Sequence, residues 1–422
     1  MRRNPSIYKL ERPFHESPRS TAAAYNITIF TSAPLVGNKD SKKTFPDSHQ
    51  LRDLRVLSTS QLPIGMNPMR IGQVAPLTEA IPPKLYGGTE RVVHWLTEEL
   101  VALGNDVTLF ASGDSHTSAN LEAIWPRALR LDGSIRDPNA LHMVMLENVR
   151  RRCDEFDLLH FHLDYYPFSL FSRQQTPFIT TLHGRLDLPE HQPVFKTFGR
   201  TPLVSISDSQ RRPVLHANWI RTIHHGVPEN LLVPRSTKPS YLAALGRIAP
   251  EKSMDKAIRV ARRCGIPLKI AAKVDRVDQE YYEQVIKPLL DTPFVEYVGE
   301  INDQEKSEFL SGAIGLLVTI DWPEPFGLVM IEAMACGTPV IAFNRGSVPE
   351  IVEDDITGYI VEDELSAVNA VNRITQLDRR QVRKRFEERF TARRMALDYL
   401  AAYREVIKID RPRLKVVASA ER

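Results

Sequence analysis

From Met69 onward the sequence predicts an α/β protein built as two Rossmann-like, doubly wound domains in series. Three observations point there. Short runs of Val, Ile and Leu alternate with longer amphipathic stretches, the pattern of parallel strands joined by right-handed helical crossovers. The apolar runs end in polar loops, several with glycine, where an open α/β sheet places its ligands. Residues 228–239, Pro-Glu-Asn-Leu-Leu-Val-Pro-Arg-Ser-Thr-Lys-Pro, interrupt the alternation with three prolines and divide it into two series.

Residues 1–68 form no part of that alternation. Prolines are scattered through them, and ten Lys/Arg face five Asp/Glu, so they are expected to be a disordered extension. Met69 is a candidate start of the native chain, while Glu11 and Glu16 argue against a transit peptide. The first domain spans 69–227. Its expected strands are Met69–Pro76, Asp106–Phe110, Phe156–His162, Pro177–Leu182 and Pro202–Ile206, with a helix over Thr89–Leu103 closed by Gly104. The linker 228–239 leads to a second domain over 240–390. Strands are expected there at Tyr241–Leu245, Leu268–Ala272, Phe294–Val298, Ile314–Ile320, Pro339–Phe343 and Gly358–Val361. Helices are expected at about 251–264, 279–290, 303–312 and 326–336. A last helix is expected within 391–409, followed by a tail, 410–422.

Composition narrows the function classes. The chain has 422 residues, 42% hydrophobic and 25% charged, and a formal charge of only +3, which makes no broad case for a nucleic acid partner. Cys153, Cys264 and Cys336 are far apart and odd in number, against a disulfide framework or a zinc site and in keeping with a reducing cytoplasm. No apolar run approaches the roughly 18 residues of a spanning helix, so any membrane contact is expected to be peripheral.

The most informative stretch is Glu324-Pro-Phe-Gly-Leu-Val-Met-Ile-Glu332. It follows the apolar strand 314–320, and Pro325 suits the first turn of a helix. Glu332 would then lie about two turns in, roughly 12 Å along the axis from Glu324. Two carboxylates so spaced can accept hydrogen bonds from a hexose and a ribose. The helix start between them offers free N–H groups, with Gly327 admitting a diphosphate. Taken as isolated acids, the same residues suit a solvated helix position and a helix-start charge. Gly246-Arg-Ile-Ala-Pro-Glu-Lys252, at the end of another strand, brings two cations to one loop. Arg247 and Lys252 can neutralise a departing diphosphate, or can simply flank Glu251 as an ion-paired helix start.

The string from Glu324 through Glu332-Ala-Met-Ala-Cys-Gly-Thr-Pro-Val340 resembles the retaining glycosyltransferases of family 4. The resemblance implies GT-B architecture, the two domains facing across a cleft, and transfer of a sugar, a hexose by expectation, from a UDP- or GDP-linked donor to a hydroxyl acceptor, with neither metal nor cofactor. Glu324 and the backbone of Phe326, Gly327 and Leu328 would then orient the transferred sugar, Glu332 would hold ribose, and Gly246, Arg247 and Lys252 would receive the diphosphate. The C-terminal helix would pack back on the first domain. Two further readings share the cleft: a GT-B epimerase or phosphorylase, and a catalytically silent nucleotide-sugar-binding protein.

In the first domain, Pro83-Lys-Leu-Tyr-Gly-Gly-Thr-Glu90 links the first strand and helix. Gly87 and Gly88 allow backbone to approach a ligand, and the stretch equally suits a flexible loop with Thr89 as a candidate N-cap; the resemblance implies that this loop closes over the donor phosphates or the acceptor. His183-Gly184 ends the strand 177–182, and the resemblance places His183 at the donor sugar, although Gly184 stands where the family often has Asp. His160 and His162 alternate on one strand with Asp164 nearby, and no metal is assigned to them. His225 takes the place of the family's usual Asn and is given no chemistry. Tyr165, Tyr166 and Phe168 suit an acceptor platform or a core equally.

Overall fold

The computed structural model describes residues 67–84, 87–290 and 292–410. The expectations for the leader before residue 67 and for the tail beyond Asp410 lie outside them.

Seven strands make the first sheet: β1 (Arg70–Val74), β2 (Asp106–Ser112), β3 (Asn120–Trp125), β4 (Leu158–Phe161), β5 (Phe178–Thr181), β6 (Leu203–Ser205) and β7 (Trp219–Thr222). They run parallel in the order β3-β2-β1-β4-β5-β6-β7. Six more make the second: β8 (Tyr241–Ile248), β9 (Leu268–Val274), β10 (Val295–Gly299), β11 (Ala313–Val318), β12 (Val340–Phe343) and β13 (Gly358–Val361). Their order is β10-β9-β8-β11-β12-β13, again parallel. In each sheet the winding direction reverses beside the first strand, between β1 and β4 and between β8 and β11. The crevices beyond the carboxyl ends of those strands are where such a sheet takes a ligand.

The central strands are buried on both faces, as in β4 and β12, where every residue is buried. They therefore read as continuous apolar runs. The edge strands β3 and β7 are half exposed and escape that reading. Three helix starts also differ from expectation. The helix after β11 is Leu328–Ala335, N-capped by Gly327 at φ 79°, so Pro325 lies in the preceding loop and Glu332 sits little more than one turn in. The helix after β1 begins at Gly88, with Gly87 at the N-cap in place of Thr89. After β8 a 3-10 turn, Pro250–Lys252, precedes the helix Met254–Cys264, because Ser253 between them turns left-handed at φ 47°. The helix expected over 279–290 is interrupted by a π turn, Tyr282–Ile286, just before Pro288, whose missing N–H breaks the regular ladder.

Both sheets belong to one compact unit. The chain passes between them twice, side by side: Val227 N–H donates to Phe390 O (2.9 Å) and Ala392 N–H to Val227 O (2.9 Å). After the second crossing the helix Ala392–Asp410 lies on the first domain, with Tyr399 and Tyr403 fully buried. One apolar cluster runs from Ile71, Leu96 and Leu158 through Tyr399 and Leu400 to Met330 and Phe386, so the core is shared across the crossing.

Candidate active site

A cavity of about 500 Å³ opens where the two sets of strand ends face each other, and every predicted site residue lies on its lining. The first domain contributes Gly87, Gly88 and His183. The second contributes Gly246, Arg247, Lys252, Glu324, Phe326, Gly327, Leu328 and Glu332. The two halves come close: a Cβ on Gly88 would stand 3.6 Å from the Leu328 side chain.

The wall from the second domain is made of ion pairs. Arg247 binds Glu251 and, at 2.5 Å, Asp278. Lys252 Nζ donates to Glu324 Oε2 (2.5 Å), the same oxygen that accepts the Trp322 indole N–H (2.7 Å). The Lys252 ammonium also lies 5.4 Å from the centre of the Trp322 ring. Glu332, only 4% exposed, is bonded by Lys306 Nζ through Oε1 at 2.6 Å. Glu332 is therefore no solvated helix position, and Lys306 and Trp322 are site residues that sequence reasoning missed. The capping box of the helix Asp303–Ser311, with Asn302 and Glu305 bonding reciprocally, sets where Lys306 points.

Backbone packing holds the Glu324 loop. Gly346, at φ 60°, lies so close that a Cβ there would be 2.3 Å from both Glu324 N and Glu324 O. Beside it, Ser347 N–H donates to Glu324 O (3.0 Å) and Ser347 Oγ to Phe326 O (2.7 Å). Arg91, in the first domain, reaches Asp303 at 2.5 Å, an ion pair across the cleft.

The first domain carries charge at one end of the cavity, at Glu79, Glu90, Arg91 and Arg130, and an uncharged hydrogen-bonded network behind His183. Gln73 Nε2 donates to the Tyr403 hydroxyl (3.1 Å), which turns Gln73 Oε1 toward His162 Nε2–H (2.8 Å). His162 Nδ1 is then an acceptor for His183 Nε2–H (2.9 Å), and His183 keeps a lone pair on Nδ1, an atom with no partner among the described residues. The chain continues inward. The Tyr403 hydroxyl donates to His160 Nδ1 (2.7 Å), and His160 Nε2–H to Thr181 Oγ1 (2.7 Å), which bonds the Tyr399 hydroxyl (2.9 Å). All four nitrogens of His160 and His162 are thus engaged within the protein.

Burial lowers the pKa of His183 to about 3 and holds His160, His162 and His225 well below their ordinary value, with neighbouring histidines adding to the effect for those three. His225 lines the cavity. It stacks on His183 with ring centres 5.3 Å apart and meets the Phe326 ring at 4.8 Å. Tyr165 and Tyr166 stack on each other, each 43% exposed, whereas Phe168 is core.

Two family models match consecutive parts of the chain: Glycosyltransferase Family 4 over residues 86–231 and Glycosyl transferases group 1 over residues 233–393. The chain belongs to glycosyltransferase family 4. As a glycosyltransferase it is 25% identical over 352 residues to the phosphatidyl-myo-inositol mannosyltransferase of Mycobacterium leprae, spanning 75% of this chain and 90% of that one. Two solved GT-B structures share its fold. Sucrose-phosphate synthase from Thermosynechococcus elongatus superposes with a TM-score of 0.67 at 20% identity, covering 81% of this chain and 99% of that one. Anabaena HepE, solved in complex with UDP and glucose, superposes with a TM-score of 0.62 at 17% identity, covering 80% and 100%. No helix among the described residues is long and apolar enough to cross a membrane.

Proposed function

We propose that this glycosyltransferase moves a hexosyl group from a nucleoside-diphosphate sugar to a hydroxyl acceptor with retention of anomeric configuration. One observation carries the reading: Glu324, Glu332, Arg247 and Lys252, supplied by separate strand ends of the second sheet, line a single cavity. That the structure of HepE contains UDP and glucose supports a donor of this class.

The geometry supports a role for each of these residues. Lys306 engages only Oε1 of Glu332, so Oε2 remains for ribose hydroxyls. The diphosphate lies against the Gly327–Leu328 helix start and the Gly246–Lys252 loop. There it competes with Glu324 for Lys252 and with Glu251 for Arg247, and it releases Glu324 to accept from hexose hydroxyls. As the bond from the anomeric carbon to the phosphate oxygen breaks, its electron pair stays on the diphosphate, where the two cations stabilise the added charge. The acceptor oxygen bonds to the anomeric carbon on the same face, and its proton leaves with the diphosphate. His183, neutral and on the cavity lining, packs against the donor sugar.

Incubation with UDP- and GDP-sugars tests this. The expected result is a rise in thermal stability with one nucleoside diphosphate and a product whose anomeric coupling matches the donor's. An inverted product removes retention, and epimerised donor in the absence of acceptor removes transfer.

A further inference from the structure

Six acids line the cavity: Glu79, Glu90, Glu251, Glu300, Glu324 and Glu332. Four of them are ion-paired, Glu251 with Arg247, Glu324 with Lys252, Glu332 with Lys306, and Glu79 with Arg130 at 3.0 Å. Glu300 is exposed to solvent. Glu90 is different. It is 8% exposed, in the first turn of the helix Gly88–Ala102, and among the described residues it has no cation partner and only the N–H of its own residue. Its Oε2 lies under the glycine pair, 3.0 Å from where a Cβ on Gly87 would stand. A carboxylate withdrawn from water without a partner costs free energy unless something in the site hydrogen-bonds it.

We propose that Glu90, flanked by the Glu79–Arg130 pair, is the acceptor-binding group and that the acceptor it takes is an uncharged polyol. This rests on the nucleotide-sugar reading only for the claim that the other wall is filled by donor. The phosphate cations and both donor-side acids belong to the second domain, so the second substrate must reach the anomeric carbon from the first. Vicinal hydroxyls suit the position, since a carboxylate accepts two O–H bonds at once while Arg130 donates to a hydroxyl oxygen. Arg91 and Arg130 line the same end of the cavity, each already held by an acid, Asp303 and Glu79, so a cationic probe beside the neutral ones separates a hydroxyl from an ammonium as the group that Glu90 takes. Burial, with Glu79 nearby, raises the Glu90 pKa, and hydroxyls can bond either protonation state. Glu90 binds and orients the acceptor and takes no proton from it.

Saturation-transfer NMR on the protein with UDP or GDP present tests the assignment, using glucose, mannose, myo-inositol and glycerol as neutral probes and glucosamine as a cationic one. At least one neutral polyol is expected to bind. Glu90→Gln, nearly isosteric and so able to keep the fold, is expected to weaken that binding at least tenfold while nucleotide affinity stays within twofold. Glu90→Ala is expected to do the same, with thermal unfolding confirming that both variants are folded. Binding of glucosamine alone, binding of no polyol, or unchanged polyol affinity in both variants overturns the proposal. So does a matching loss of nucleotide affinity, which would move Glu90 to the donor side. If no nucleotide binds the wild type but a polyol does so through Glu90, the donor reading falls and the acceptor site stands.

Discussion

The two walls of the cleft solve one problem in opposite ways. The wall from the second domain carries charge in compensated pairs: Arg247 with Glu251 and Asp278, Lys252 with Glu324, Lys306 with Glu332. The wall from the first carries its charge at one end, at Glu79, Glu90, Arg91 and Arg130, and elsewhere a relay of uncharged groups, running from His183 through His162 and Gln73 to Tyr403, His160 and Thr181. A paired cation can exchange its carboxylate for a phosphate at little desolvation cost, because it is already out of water. A neutral imidazole fixed by its neighbours can pack against a sugar without repelling the charge opposite. On the proposed reading, the polar groups of this cleft match what each substrate would bring to it: a diphosphate on one side, hydroxyls on the other.

The pair of Lys306 and Glu332 is the sharpest place to break the charged wall. Glu332→Ala leaves the buried Lys306 ammonium only Asp303, at 3.5 Å, and the expected loss is about 3 kcal/mol of stability, together with weaker nucleotide binding, read by urea denaturation and calorimetry. Adding Lys306→Met should recover most of the stability and none of the affinity. Recovery of both would make the pair purely structural.

Arg247→Ala leaves the buried Asp278 carboxylate without its cation, so some stability is lost, and turnover should fall by roughly 2.7–4 kcal/mol, about a hundred- to a thousandfold, if the guanidinium stabilises the leaving diphosphate. Turnover within threefold of the wild type would return Arg247 to the plain role of pairing with Glu251.

In the uncharged relay, Tyr403→Phe removes the hydroxyl shared by Gln73 and His160, leaving both buried groups a partner short. A loss of about 1–3 kcal/mol in stability is expected, with turnover lowered because Gln73 no longer fixes the His162 and His183 tautomers. Equal kinetics at reduced stability would detach the relay from the chemistry.

The last effect concerns acid. Four histidines on this wall have pKa values below the ordinary 6.5 of the unfolded chain. Below pH 6.5 the unfolded state therefore binds more protons than the folded one, and stability falls as pH drops; for His183 the fall continues to about pH 3. Denaturation midpoints at pH 7 and pH 5 should differ in that direction, and His160→Gln should reduce the difference. A midpoint independent of pH over this interval contradicts burial of neutral histidines.

Much of the fold was legible because buried parallel strands leave a direct trace. Val340-Ile-Ala-Phe343 and Leu158-Leu-His-Phe161 read as strands since both faces are covered. The edge strands Asn120–Trp125 and Trp219–Thr222, half in water, left none. Among site residues, Glu324, Glu332, Arg247 and Lys252 stood out by their place at strand ends. Lys306 did not, being one lysine in an acidic helix start, 26 positions from its partner. Trp322 and Gly346 were missed for the same reason, since their importance lies in what they touch. The capping box at Asn302–Glu305 was the one local signal that bore on where Lys306 points.

The order of apolar runs, the proline-rich break and the chemistry at each strand end are properties of the chain as written, because local periodicity and turn chemistry do not depend on what lies across the core. Which charges pair, which imidazole nitrogen keeps its lone pair, and which acid is left without a cation were decided only by tertiary structure. Those outcomes depend on distances of a few ångströms between residues tens to hundreds of positions apart, as between Gln73 and Tyr403, and no local pattern encodes them.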